Sequence, residues 1–403
     1  MDEGSGSVSG VGRVWSYGLP VYLPSFLYGI GQGAIIPAIP FSVRELGGSV
    51  AVAGFVVAVL GIGRVAGTLP AGWLVHRIGE RSAMLLAVAI TTGALGLCLV
   101  APSVGVLASG IAVLGATTAV FGLARHAYLT EVSPYPLRAR ALATLGGVHR
   151  IGVFAGPFLG AAAIAVVGVD GGYWIHLGAA VLAGVALLAL PDVTVPARTP
   201  APEGLSPRPE RLIDMVREHS HVLRTLGLGV VVISAVRASR QVIIPLWAEH
   251  LGLDPATASV IFGISGGVDM LLFYPAGWVM DRFGRRWAVL PCMTVLGIAH
   301  ALIPLSGGAA SLTAVAALMG LGNGIGSGIV MTMGSDASPE AGRAVFLAAW
   351  RLLGDVGNSA GPFVLGGVAA LAGLGAASVV MGGLALAGAA AMAAWLPSPR
   401  GSP

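Results

Sequence analysis

Apolar residues run along this chain in long stretches, broken at intervals by short segments rich in charge, proline and glycine. A helix that crosses a bilayer needs roughly 20 predominantly apolar residues, and these stretches have that length. Dividing the chain at its breaks predicts twelve spans, at 17–41, 49–73, 82–101, 104–129, 141–167, 173–190, 222–248, 256–279, 287–305, 310–333, 344–371 and 375–396. The ten-residue alternation of a membrane β-barrel is absent. The fold class read from the pattern is an all-α polytopic membrane protein. The acidic start, Met1-Asp2-Glu3, and the lack of a small-residue cleavage site mark the first stretch as a retained span, not a signal peptide.

Composition gives the same answer by another route. Of 403 residues, 56% are apolar and 10% charged, with a mean hydropathy of +0.87. A soluble domain carries about 25% charge, so this chain cannot cover itself with solvated side chains. The two cysteines, Cys98 and Cys292, lie in apolar runs and make no disulfide framework. Every basic residue is an arginine, and their spread over loops and spans is not a nucleic-acid footprint. It is a topology signal instead. With the N-terminus in the cytoplasm, that side holds Arg13, Arg77, Arg81, Arg138, Arg140, Arg198, Arg208, Arg211, Arg217, Arg224, Arg282, Arg285, Arg286, Arg343 and Arg400, against Arg44 alone outside. Both termini are therefore expected in the cytoplasm, with the chain in the plasma membrane. Residues 191–221, rich in proline and charge, read as a cytoplasmic linker between a first half, 1–190, and a second, 222–403.

The halves repeat at an offset of 205 residues. Pro70-Ala71-Gly72-Trp73 returns as Pro275-Ala276-Gly277-Trp278, each followed by a basic loop. Glu131, Ser133, Pro134 and Arg138 map onto Asp336, Ser338, Pro339 and Arg343, and Gly152, Gly156 and Pro157 onto Gly357, Gly361 and Pro362. A duplicated six-helix unit in parallel topology follows. Six plus six spans with a basic loop after spans 2 and 8 resemble the major facilitator superfamily of secondary transporters over essentially the whole chain. Its loop signature is matched by Gly277, Asp281, Arg282, Gly284, Arg285 and Arg286. The first copy departs from it, with His76 in place of the acid and Glu80 before Arg81.

An aspartate at such a helix end is placed to accept from the unpaired N–H groups of a neighbouring helix N-terminus, while the arginines hold headgroups or acids on a facing loop. On this reading His76, Arg77, Arg81, Asp281, Arg282, Arg285 and Arg286 form a cytoplasmic latch; plain positive-inside anchoring is the alternative. In spans 5 and 11, Gly152, Gly156, Pro157 and Gly357, Gly361, Pro362 resemble the Gly-Pro motif of drug/proton antiporters. Glycines four apart allow close helix approach and proline bends the helix, so these read as helix-bending seams or as generic close packing. The arginine that such antiporters carry early in span 4 is absent from Ser109–Gly115.

Six arginines lie inside spans, Arg64, Arg125, Arg150, Arg237, Arg240 and Arg351, with two acids, Asp269 and Asp355. Buried charge costs at least ~2.5–3.5 kcal/mol per residue by insertion scales, so these groups need partners or water. Arg64 and Asp269 are equivalent by the repeat and are candidates to pair. Arg351 and Asp355, four apart, are expected to bridge, with Asn358 on the same face. Arg125 and His126, near the cytoplasmic end of span 4, are expected to snorkel to the interface. His149 and Arg150 are adjacent, so only one can point fully into a cavity. The resemblance implies that spans 1, 4, 7 and 10 line the cavity; Gln32, Arg237, Arg240 and Asn323 fall on three of them and are candidate substrate-binding residues. Arg64, Arg150, Asp269, Arg351, Asp355 and Asn358 form a candidate charge network, in which the acids serve either as proton carriers or as permanent ion-pair partners.

The function expected is proton-coupled transport of a small organic solute by alternating access, with efflux ahead of uptake or exchange of an organic anion. A receptor built on a transporter fold is the alternative from another class. No lysine means no phosphate-binding loop, and no His-Glu-x-x-His or clustered histidine set points to an enzyme, a metal or a cofactor. The partners expected are the solute, protons and membrane lipids, with no nucleic acid, and the protein is expected to be a monomer.

Overall fold

The protein is described here by a computed structural model covering residues 5–133, 137–190, 217–340 and 342–396. Most of the predicted linker, with Arg198, Arg208 and Arg211, lies outside the described residues, as do Pro134, Arg400 and the side chain of Arg13. The chain is all helical. In order it forms α1 Ser5–Ile35, α2 Ala38–Glu45, α3 Val50–Ile78, α4 Glu80–Leu99, α5 Val104–Val132, α6 Arg138–Val167 and α7 Gly171–Ala189. These are followed by α8 Ser220–His250, α9 Pro255–Phe283, α10 Arg286–Leu302, α11 Ala309–Ile325, α12 Ile329–Ala337, α13 Arg343–Ala372 and α14 Leu374–Trp395. The end of the predicted linker is already helical, since α8 opens at Ser220 and passes through a π-turn at Leu223–Gly227.

Among the described residues ten helical segments are long and apolar enough to cross a membrane, or eleven with the bent pair α1–α2 as one. The remaining long helix, α13, has 30 residues and carries Arg351 and Asp355. Two predicted spans are broken. Span 1 bends by 44° between α1 and α2, where Pro37 lacks an N–H and disfavours helix at the residue before it. Span 10 is interrupted at Gly326-Ser327-Gly328, and Gly328 adopts φ +79°.

Two compact units emerge from the packing, residues 1–38 with 62–201, and residues 39–61 with 202–403. In the first, α1 packs on α6 and α7, and α4 on α5 and α7; in the second, α8 packs on α13 and α14, and α10 on α11 and α14. The second unit also takes in the start of α3, where Phe55 meets Phe363 edge to face and Gly54 abuts Gly366. Arg44 there donates to Glu249 at 2.9 Å, and these two occupy equivalent repeat positions, 205 residues apart.

The repeat extends to contacts. A methyl group added to Gly152 or Gly156 would run into the carbonyl oxygens of Phe26 and Ile30 on α1. One added to Gly357 or Gly361 would run into those of Val231 and Ala235 on α8, each residue the 205-shifted equivalent of its counterpart. The paired motifs are therefore close-packing seams, and Pro157 and Pro362 sit inside helices that continue through them. Backbone geometry repeats as well: Gly79 and Gly284 have φ of +80° and +90° at the α3–α4 and α9–α10 junctions, and Gly168 and Gly373 form another such pair. Their ψ values near 180° put these turns in a region essentially reserved for glycine.

Outside the spans, Asp254 caps α9. Its Oδ1 accepts from the Thr257 backbone N–H at 2.9 Å and its Oδ2 from the Thr257 hydroxyl at 2.6 Å, with Pro255 opening the helix. These bonds hold the carboxyl below its ordinary value of 3.8. The cap's charge-assisted stabilisation is thus complete above that value and is lost as pH falls through the lower folded-state value. Asp254→Ala is expected to cost about 1 kcal/mol near neutrality. Thermal unfolding at pH 7 and in strong acid checks this; an equal cost at both would show that the charge contributes nothing.

Candidate functional site

The polar centre of the second unit is built on α8, which carries Arg237 and Arg240 one turn apart. Arg237 Nε donates to Asn323 Oδ1 at 2.6 Å and its Nη1 to the Gly326 carbonyl at 3.2 Å. Gly326 lies in the break after α11, where its carbonyl also accepts from the Ile329 N–H at 3.2 Å and the negative end of the helix dipole falls within a predicted span. A guanidinium supplies both the donors and the charge that such an end needs. Two candidate substrate residues, Arg237 and Asn323, thus hold each other and the break.

Arg240 is buried. Its Nη1 donates to Ser265 Oγ at 2.8 Å, its guanidinium lies 5.7 Å from the Phe262 ring, and its Nε has no partner. Asp269, one turn along α9 from Ser265, lies within electrostatic reach of Arg240 and of Cys292. The two do not close into an ion pair, and Asp269 Oδ1 is buried without a partner. An unmade hydrogen bond costs roughly 1–3 kcal/mol per buried polar atom, and more for charged groups. A nitrogen of Arg240 and an oxygen of Asp269 are thus both left open within electrostatic reach of each other, which is a poised arrangement. Gly320 and Gly324 on α11 make room for it, since a methyl on either would meet the α9 backbone at Ser265 or Asp269.

In the first unit, hydroxyls unremarked in the sequence form a chain. Gln32 Nε2 donates to Thr118 Oγ1 at 3.0 Å; the Tyr28 hydroxyl lies 3.4 Å from Thr118 and 3.3 Å from Thr91, and Thr91 donates to Thr117 at 2.8 Å. Tyr28 stacks on Phe121, with ring centres 4.3 Å apart, and meets the edge of the buried His176 at 5.9 Å. Neither His176 ring nitrogen has a partner. Single threonines in apolar helices give no sequence signal, because they satisfy themselves on their own helix, as Thr117 does on the Leu114 carbonyl at 3.1 Å.

Several expectations are corrected. Arg125 does not snorkel: its Nε and Nη1 are buried without partners, because its position on α5 faces α1. His126, about 100° round the helix, is the exposed one, with Nδ1 2.6 Å from the Gly122 carbonyl. Arg351 and Asp355 make no ion pair with each other, and Arg351 is exposed, as is Asn358. Helical side chains lean toward the N-terminus, so an arginine placed before its acid leans away from it. Arg64 is exposed, Arg150 is half-buried, and His149 Nδ1 donates to the Ser25 carbonyl at 3.1 Å. The repeat that carries Arg64 onto Asp269 also carries Arg150 onto Asp355, so equivalent positions hold opposite charges. Among the described residues no three His, Cys, Asp or Glu side chains gather to hold a metal.

At the basic loops, Asp281 is 81% exposed and accepts from Arg285 Nη1 at 3.3 Å, not from a helix N-terminus as expected. Arg285 reaches on to Asp336, donating from Nε at 2.7 Å, and that bond is the chief reason its guanidinium is held above its ordinary value. Arg77 and Arg282, equivalent by repeat, lie 5.1 and 5.5 Å from the rings of Trp73 and Trp278. Arg81 donates to the Leu187 and Leu190 carbonyls and caps the end of α7. His76 is exposed.

Comparison with known proteins gives the following. The family model described as Major Facilitator Superfamily matches residues 21–238 and 226–403. The uncharacterized MFS-type transporter Rv2456c of Mycobacterium tuberculosis (strain ATCC 25618 / H37Rv) is 29% identical over 362 residues, covering 83% of this chain and 82% of that protein. Among solved structures, a bacterial homolog of the human lysosomal transporter Spinster, inward-facing and unoccupied, is similar with a TM-score of 0.78 at 14% identity, covering 98% of this chain and 100% of that one. A D-xylose–proton symporter is similar with a TM-score of 0.70 at 18% identity, over 96% and 99%.

Proposed function

This chain belongs to the major facilitator superfamily of transporters, and from that membership we propose that it exchanges a small organic solute for protons, in the direction of efflux. It is a multi-pass membrane protein and not an enzyme. The observation that carries proton coupling is the open Arg240–Asp269 arrangement in α8 and α9. A carboxylate that faces an arginine without closing on it changes protonation when that arginine turns to a solute, and releases the proton when the arginine returns. One fold neighbour, a D-xylose–proton symporter, uses protons on a similar scaffold.

In this reading the halves 1–190 and 222–403, joined by 191–221, are the bodies that alternate. Gln32, Arg237, Arg240 and Asn323 line the solute path, and Arg64, Arg150, Arg351, Asp355 and Asn358 belong to the surrounding charge network. The Asp281–Arg285–Asp336 cluster, with His76, Arg77, Arg81, Arg282 and Arg286, latches the end that the arginine distribution assigns to the cytoplasm. Trp73 and Trp278 under their arginines suit a lipid headgroup zone. Efflux is favoured by the resemblance of the seams on α6 and α13 to the motif of drug/proton antiporters. The protein works as a monomer in the plasma membrane.

The test uses proteoliposomes and a solute first identified by thermal stabilisation in detergent, since a bound ligand raises apparent stability with occupancy. An antiporter accumulates that solute in vesicles with an acidic lumen. Accumulation only with an acidic exterior would instead make it a symporter. Binding with no flux in either gradient would make it a receptor.

A further inference from the structure

Arg125 is anomalous. Its Nε and Nη1 are buried and lack acceptors, and its electrostatic neighbours among the described residues are the Tyr28 phenol and a second arginine, Arg64, with no carboxylate. The Tyr28 hydroxyl is engaged with threonines. His149 lies in the same electrostatic neighbourhood, with its Nδ1 tied to Ser25 and with Arg125, Arg64 and His126 as the charged or titratable groups within reach. Around Arg125 and His149 the first unit thus gathers cationic and neutral donors from α3, α5 and α6. Both acids inside spans, Asp269 and Asp355, belong to the second unit.

A structural role does not account for this residue. The repeat-equivalent of Arg125 is Val330, and that of His126 is Met331, so the same fold position is filled by an apolar side chain in the other half. A buried guanidinium without a counter-charge is costly, and a neutral acceptor would satisfy its N–H groups but leave its charge uncompensated. An oxyanion supplies both, through charge-assisted bonds to a planar fork of donors.

We propose that Arg125, with Arg64 beside it, is a binding site for the oxyanion group, carboxylate or phosphate, of the transported solute. The proposal rests on the transport reading above and names the substrate class: a solute with at least one anionic head. Arg125 forms the contact, and a dianion, with more charge to set against the buried guanidinium, is preferred over a monoanion. His149, directed by Ser25, and His126, on the outer face, do not hold the anion.

The test is equilibrium binding in neutral detergent with bound lipid removed, using acetate and inorganic phosphate as probes against chloride at matched ionic strength. The wild-type thermal midpoint is expected to rise saturably with either probe, and more at a given concentration with phosphate. In Arg125→Gln that response is expected to vanish, while the ligand-free midpoint stays the same or rises because an unpaired buried charge has gone. Arg125→Lys keeps the charge but loses the fork, and is expected to bind about tenfold more weakly; it carries the test if the glutamine variant does not fold. A second arm compares nanodiscs of phosphatidylglycerol and phosphatidylcholine without added probe. Stabilisation by phosphatidylglycerol alone, lost in Arg125→Gln, would assign the site to a lipid headgroup and overturn the solute assignment. So would a wild type indifferent to both probes, or a variant that keeps the full response. Because the readout is binding, failure of proton coupling or of flux would leave it unmoved.

Discussion

Asp269→Asn is expected to abolish accumulation of solute under a pH gradient while solute exchange between the two faces of the membrane stays detectable. Asparagine keeps the shape of the side chain and removes its ability to take up and release a proton. With one proton exchanged per solute, each pH unit of gradient supports roughly tenfold accumulation. The variant should settle near equal concentrations whatever the gradient. The substituted amide would still face Arg240, whose Nη1 remains on Ser265, so the unit should fold. Normal accumulation in this variant would sink the proposed role of the open pair. Loss of exchange as well would show that Asp269 is needed for the site itself and not for coupling alone.

Gly156→Val and Gly361→Val are expected to prevent assembly of their units. In both cases the new side chain would meet backbone, the Ile30 carbonyl on α1 or the Ala235 carbonyl on α8, and backbone inside a helix has no rotamer with which to yield. Overpacking a core with side chains that can adjust costs about 1–3 kcal/mol, and these sites should exceed that. Gly147→Ala is the control: nothing lies within 4 Å of its added methyl, and alanine in a helix should gain about 0.5–1 kcal/mol over glycine. Yield of monodisperse protein and the thermal midpoint in detergent read both effects. Opposite signs are expected for substitutions on the same helix; a fully stable Gly156→Val would mean that α1 and α6 are not in this contact.

The spans, the repeat and the loop motif were legible because each is a statement about position along the chain, and a bilayer converts length directly into structure. The rotation of each helix was not. In a soluble helix the polar face reports orientation, but here the lipid-facing and protein-facing sides are both apolar, so depth can be counted while direction cannot. Arg125 shows the consequence: its place on α5 was readable, whereas its turn toward α1 needed the neighbouring helix. The break at Gly326–Gly328 had a signal in the run Gly322-Asn323-Gly324-Ile325-Gly326-Ser327-Gly328, but glycine serves equally for close packing in such helices. The left-handed backbone of Gly328 and the arginine donating to the Gly326 carbonyl tell the two uses apart.

The glycine turns are kept across the repeat, and the charges are not. Gly79 and Gly284, and Gly168 and Gly373, keep the same backbone twist, while Arg64 and Arg150 stand where Asp269 and Asp355 stand in the other copy. In an ancestor made of two identical chains, any charge at these positions would have occurred twice with the same sign. Opposite signs at matched positions require that the copies be encoded separately. Carrying both copies on one chain as distinct sequences thus gives each half its own intramembrane charge, which a symmetric pair of identical bundles could not have.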